Sequence, residues 1–139
     1  MDTILEETKN DVKIVTFNNL RKKNAIDVHM YVRLTEILNN AAADKDIAMV
    51  VLTGAGDIYS SGNDLTAVVN ISVDESFDIL VKCIEAFITF PKLLVAIVNG
   101  PAVGVAATTL ALCDFVFASE NVSNIRYSVL FSYLIIYLH

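Results

Sequence analysis

Three short apolar runs set the architecture: "IAMVVLT" (Ile47–Thr53), "LLVAIV" (Leu93–Val98) and "DFVFAS" (Asp114–Ser119). Each is continuous rather than alternating, which suits strands covered on both faces. Between them lie segments of helical period. Strands that alternate with helices predict an α/β layer structure with parallel pairing. A hairpin precedes the first run, with "TILEE" and "VKIVTF" flanking the turn-rich "TKND". From Ile26 to Ala43 apolar residues recur at Ile26, Met30, Leu34, Ile37, Leu38 and Ala41, one face of a helix with Asp27 as N-cap. A second helix follows Ser72, with Glu75 at capping-box spacing and Asp74 in the first turn. Its apolar face is Phe77, Leu80, Ile84, Phe87 and Ile88, and Pro91 follows its end. A third, "VAATTLALC", consists mostly of small residues, which pack close to backbone. "IYS" (Ile58–Ser60) reads as a further short strand.

At 139 residues the chain is sized for one domain with a true core. Its 55% hydrophobic content argues against disorder. A formal net charge of −6 argues against a nucleic-acid groove, which needs a basic face. The one basic cluster is "RKK", Arg21 to Lys23. Cys83 and Cys113 lack CxxC spacing, so reduced, buried thiols of an intracellular protein are expected, with no disulfide framework and no metal site. The start, "MDTILEETKND", reads as no targeting signal, and no run reaches the roughly 20 apolar residues of a membrane span. After Glu120 the texture changes. Residues 121–139 lose caps and period and end in an apolar tail, so the domain is expected over residues 1–120.

Two places share one design: a strand, a glycine turn, a helix start. They are "IYSSGNDL" and "AIVNGPAVGVAATTL". Gly62 and Gly104 allow close approach of backbone or ligand. The N–H groups of Asn63 and Val105 follow them, where a helix begins and first N–H groups lack internal acceptors. If both converged on one point they would form an oxyanion hole. Either motif alone is weak, since a glycine turn after a strand is more often only a turn.

Taken in order, four segments resemble the crotonase, or enoyl-CoA hydratase/isomerase, superfamily. They are "KKNAI", "VVLTGAGDIYSSGNDL", "FPKLLVAIVNGPAVGVAATTLALCD" and "FVFASE". The "SSGNDL" and "VNGPAVG" wording is most similar to the peroxisomal-type Δ3-Δ2-enoyl-CoA isomerases. The resemblance implies the N-terminal portion of a spiral of β-β-α units. It implies an acyl-CoA thioester as ligand, coenzyme A entering only as part of the substrate, and no other cofactor. It makes Asn63 and Val105 the backbone donors to a thioester enolate. It places Lys23, Asn24, Ala25, Ser60, Ser61, Gly62, Asp64, Leu65 and Gly104 along the bound ligand, with the "RKK" cations near its phosphates. It further implies a homotrimer or hexamer, and a peroxisomal or mitochondrial location.

The departures concern the base. Hydratases carry a Glu where Thr108 stands, and a hydroxyl without a neighbouring base cannot take a proton from water near neutral pH. The isomerases' own Glu falls near Ile136, in a tail without an acid after Glu120. Asp64 reads as a loop brace, and Asp57 and Asp114 have no matching role. His29 reads as a helix-surface or partly buried histidine, and no G-x-S-x-G elbow is present. Two readings remain open beside the isomerase: a non-catalytic, truncated or spliced crotonase, and an interaction module that uses the apolar tail.

Overall fold

The computed structural model describes residues 2–64, 66 and 72–120, together with the backbone of 125–126. The tail from residue 121, apart from that backbone, and Leu65 lie outside the described residues. Strands β1 (Ile4–Lys9) and β2 (Val12–Phe17) form the expected antiparallel hairpin, turning at Asn10 with φ 55°. Then come a 3-10 turn (Leu20–Lys22), α1 (Val28–Ala43), β3 (Met49–Gly54), α2 (Val73–Ile88) and β4 (Leu93–Val98). Short β5 (Ala102–Val103), α3 (Val105–Leu110), β6 (Phe115–Ala118) and short β7 (Ile125–Arg126) follow. The main sheet has the order β1-β2-β3-β4-β6, and every pair after the hairpin is parallel.

Parallel register puts paired residues on one face. Val15, Leu52 and Ala96 are paired neighbours, each 0% exposed, and with Val50, Leu94 and Val98 they form the core side of the sheet. Onto it α1 lays Met30, Tyr31, Leu34, Ile37, Leu38 and Ala41, and α2 lays Cys83, Ala86 and Phe87. Each large aliphatic side chain buried this way contributes about 1.5–3 kcal/mol. Burial also pushes the Cys83 thiol up to about 11, and pushes Cys113, beside Asp114, up to about 12.

The helix signals act as expected at both starts. The Asp27 carboxylate accepts the Met30 N–H at 2.9 Å, and the Ser72 hydroxyl accepts the Glu75 N–H at 3.2 Å. Three expectations need correction. Ile26 is not in α1; it bridges to Asn63. Phe77 and Ile88 are about half exposed rather than on the buried face of α2. The apolar runs are not covered on both faces: the rows Ile14–Val51–Val95–Phe115 and Thr16–Thr53–Ile97–Phe117 face away from the helices, and β6 is exposed along its length. Ile97 and Phe117 there are 45% and 62% exposed. A continuous apolar run reports that both faces want cover, not that the described residues supply it.

A second, smaller alignment places the site. Ile26 pairs with Asn63, Ser60 with Ala102 and Ala102 with Ile125, all in parallel. "IYS" is thus a single bridge at Ser60 rather than a strand. Four successive passes of the chain lie side by side, each entered from the main hairpin or a main-sheet strand.

Candidate active site

The segment Tyr59–Asp64 is fixed by backbone groups on both sides. Tyr59 is buried, its ring edge-on to Phe17 with centroids 5.4 Å apart. The Tyr59 and Ser60 N–H groups donate to the Pro101 carbonyl at 3.1 and 3.3 Å, and Val103 N–H donates to Ser60 O at 3.0 Å. Two residues on, the pairing changes sides. Ile26 N–H donates to Gly62 O at 2.8 Å, and Asp64 N–H donates to Ile26 O at 2.9 Å. In such a parallel bridge the middle residue turns its own N–H to the opposite edge. Asn63 therefore directs its N–H away from Ile26, towards the β5–α3 side.

Gly62 and Gly104 are stacked there. A Cβ on Gly62, whose φ is 87°, would lie 2.6 Å from the Val103 carbonyl oxygen and 3.6 Å from Gly104 Cα. Backbone fills the place of a side chain, so no other residue fits. Gly104 itself has φ 59° and ψ −129°, a conformation open in practice to glycine alone. Val105 begins α3 directly after it, and as the first helical residue its N–H lies outside the intrahelical ladder. The two glycine turns, forty-odd residues apart in sequence, are thus in contact.

The preceding loop clamps this arrangement. Lys23 and Asn24 both have φ 54°, which turns the loop under the site. Lys23 O accepts the Ser61 N–H at 3.0 Å, and the Ser61 hydroxyl donates to Lys22 O at 3.1 Å. The Asn24 side chain, 0% exposed, donates to Ala55 O and Ile58 O at 3.0 and 2.9 Å and accepts Asn19 N–H at 2.9 Å. The Ser60 hydroxyl, also 0% exposed, donates to Asn24 O at 2.7 Å and accepts the Gly62 N–H at 3.1 Å. The polar side-chain atoms of Asn24 and Ser60 thus face the protein and brace the turns. Ala25 is likewise buried. Asn99 adds a matching brace, accepting Gly54 N–H at 3.0 Å and donating to Gly56 O at 2.9 Å.

Asp64 is held by Lys22, not Lys23: Lys22 Nζ lies 2.6 Å from its carboxylate. Thr66 donates to it from both N–H and hydroxyl, at 3.0 and 2.6 Å. The Lys22 and Thr66 bonds keep the Asp64 carboxyl below the usual carboxylate range. Arg21 and Lys23 remain exposed on the loop surface.

Beside Asn63 opens an apolar groove of about 230 Å³, between the starts of α1 and α2. Ile26, Tyr31, Val73, Phe77 and Leu80 line it, with Asn63 and Asp64 at one end. Tyr31 donates its hydroxyl to Asn63 Oδ1. Sequence reasoning passed over Tyr31 and the groove. The signal was slight: a polar-tipped aromatic beside Met30 on the core stripe of α1, and a phenylalanine placed on an apolar face that proves half open.

The two carboxylates that line this groove are already engaged. Asp27 caps α1, and Asp64 is paired as above. Asp114 accepts Leu94 N–H at 2.8 Å, away from the groove. The Thr108 hydroxyl turns back onto Gly104 O at 3.1 Å, and that carbonyl also takes the Thr108 N–H at 3.0 Å. His29 is exposed on α1. Among the described residues no group of three or more His, Cys, Asp or Glu could hold a metal ion, and no helix is long and apolar enough to cross a membrane.

The profile of the enoyl-CoA hydratase/isomerase family matches residues 7–132. The chain is 47% identical over 124 residues to mouse peroxisomal enoyl-CoA delta isomerase 3, covering 85% of this chain and 39% of that protein. It is 45% identical over 124 residues to rat enoyl-CoA delta isomerase 2, covering 85% of this chain and 32% of the relative. It therefore spans less than half the length of these relatives. A solved enoyl-CoA hydratase/isomerase from Pseudoalteromonas atlantica T6c superimposes with a TM-score of 0.79 at 33% identity, over 87% of this chain and 48% of that one.

Proposed function

The chain belongs to the enoyl-CoA hydratase/isomerase family, and from that premise we propose that it binds acyl-CoA thioesters of the kind used by enoyl-CoA delta isomerases. The contact between the Gly62 and Gly104 turns carries this reading. Asn63 and Val105 directly follow these two glycines, and a thioester oxygen held between the turns would accept from both N–H groups. Such a pair polarises the thioester carbonyl, acidifies C2 and holds the enolate formed when C2 loses its proton. The acyl chain lies along the apolar groove past Tyr31, Phe77 and Leu80. Lys23 and Arg21 face the coenzyme A phosphates, whereas Lys22 stays with Asp64.

The reaction class is a shift of a double bond between C3 and C2, in which the proton leaves C2 and returns at C4. That transfer needs a base, and the two carboxylates that line the groove, Asp27 and Asp64, are engaged in structure. Among the described residues the thioester site thus binds and polarises without an evident proton carrier. Hydration is disfavoured for the same reason at Thr108. A peroxisomal setting follows from the name of the mouse relative and belongs to this proposal alone.

Calorimetric titration of the chain with a saturated acyl-CoA, against free coenzyme A, tests the reading. The acyl thioester is expected to bind more tightly than coenzyme A, and 3-enoyl-CoA to turn over little above background. Equal affinity for the two ligands, or none for either, would overturn the thioester site. Rapid turnover of 3-enoyl-CoA would instead show that a base is present.

A further inference from the structure

Asparagine is a poor choice beside a backbone N–H that must stay available. Its side-chain oxygen readily bonds its own or neighbouring N–H groups, and so competes with any incoming acceptor. Yet the residue after Gly62 is Asn63, and it is exposed. Tyr31 removes the conflict. Its hydroxyl donates to Asn63 Oδ1 and draws the carboxamide into the groove.

The phenol is mounted rigidly. Tyr31 is 7% exposed and lies on the core face of α1. Its N–H donates to Asp27 O at 3.1 Å, and its carbonyl accepts the Thr35 hydroxyl at 2.8 Å. Burial holds its hydroxyl above the usual phenol range, so it stays a neutral donor throughout the physiological window. The Asn63 backbone is fixed from the other side by the Ile26 bridge. A donor aimed within a fraction of an ångström needs support on both its main chain and its side chain.

We propose that Tyr31 is a positioning residue for the thioester site: by holding the Asn63 side-chain oxygen it keeps the Asn63 N–H free and aimed at the substrate oxygen. This rests on the oxyanion reading of Asn63 given above. Tyr31 acts through Asn63 rather than on the reacting atoms.

Acetoacetyl-CoA is a suitable probe, because its enolate has its own ultraviolet absorption and is favoured by donors at the thioester oxygen. The pH at which the bound ligand is half enolised is measured in the full chain, in Y31F, in N63A and in Y31F/N63A. Affinity for a saturated acyl-CoA is measured alongside. Y31F is expected to lower the enolate-to-keto ratio about tenfold, a midpoint roughly one pH unit higher, a larger change than in affinity for the saturated thioester. In the N63A background, where no side-chain oxygen remains to be held, adding Y31F is expected to change the midpoint little.

An unshifted midpoint in Y31F, or an equal shift in both backgrounds, overturns the role of Tyr31 while leaving the thioester site intact. Absence of any enolate band with the unsubstituted chain overturns the oxyanion reading itself, and Tyr31 with it. Phenylalanine keeps the ring that packs on α1. Should Y31F nevertheless fail to fold, Tyr31→His, which keeps a ring N–H donor, is expected to hold the midpoint nearer the original than Tyr31→Leu; equal shifts in the two would overturn the role.

Discussion

At the scale of single residues, the proposed site consists of main-chain groups, and the side chains around it are mostly braces. Val105 gives a direct test. Proline is tolerated at the first position of a helix, where its missing N–H breaks no ladder bond. Val105→Pro should therefore keep the circular dichroism spectrum and lower enolate formation on acetoacetyl-CoA by on the order of a hundredfold or more. Lys22 offers a test by pH. The folded Asp64 carboxyl sits below its ordinary value, so its contribution to stability is fully present above about pH 4. It fades as pH falls from there through the folded value. Lys22→Met removes the largest cause of that depression, so its stability to urea should fall at pH 7, and the deficit should shrink as pH drops below about 4. The chemistry of this scale was legible where it depends on residue type. Gly62 and Gly104 announced close approach. The inward turn of the Asn24 and Ser60 side chains was not legible, because a sequence records that a polar atom exists and not which way it faces.

At the scale of elements, the caps and stripes were the easiest features to read, since they rest on contacts within a few residues. Asp27 and Ser72 begin their helices as spacing predicted. Less legible was the end of α1. Lys92, just before β4, sends its ammonium across to the carbonyls of Ala41 and Ile47, each at 2.7 Å, and of Asp44. A lysine about fifty residues away closes that helix and the turn after it. Nothing local marks this, because the partner is chosen by the sheet. Hydrogen bonds from a charged donor contribute about 1.5–3 kcal/mol. Lys92→Met should thus lower unfolding free energy in urea by about 2–3 kcal/mol, with an unchanged denaturant slope. A change below about 0.5 kcal/mol would show that water replaces the ammonium at little cost.

At the scale of the whole molecule, alternation of strand and helix predicted the parallel sheet correctly and its cover incorrectly. Residues such as Leu52 and Ala96 are buried as expected, while their neighbours Ile97 and Phe117 on the other face are not. Hydrophobicity along a strand states a demand, and only tertiary context states whether it is met. An apolar face of this kind promotes association. Ile97→Lys with Phe117→Lys should raise the concentration at which the chain begins to self-associate in sedimentation and reduce binding of an apolar dye, without altering acyl-CoA affinity. Equal sedimentation of the two proteins would mean that the face is not sticky in solution.

The side-by-side passes at Ile26, Ser60–Asn63, Ala102–Val103 and Ile125–Arg126 also bear on how fast the site can come into being. Each pairing joins positions some twenty to forty residues apart. Chains whose contacts are long-range fold more slowly, since loops must close before any pairing rewards them. No local fragment of the sequence can rehearse the arrangement of Asn63 and Val105. Ligand competence should emerge late in refolding, after the helices have gained their ellipticity.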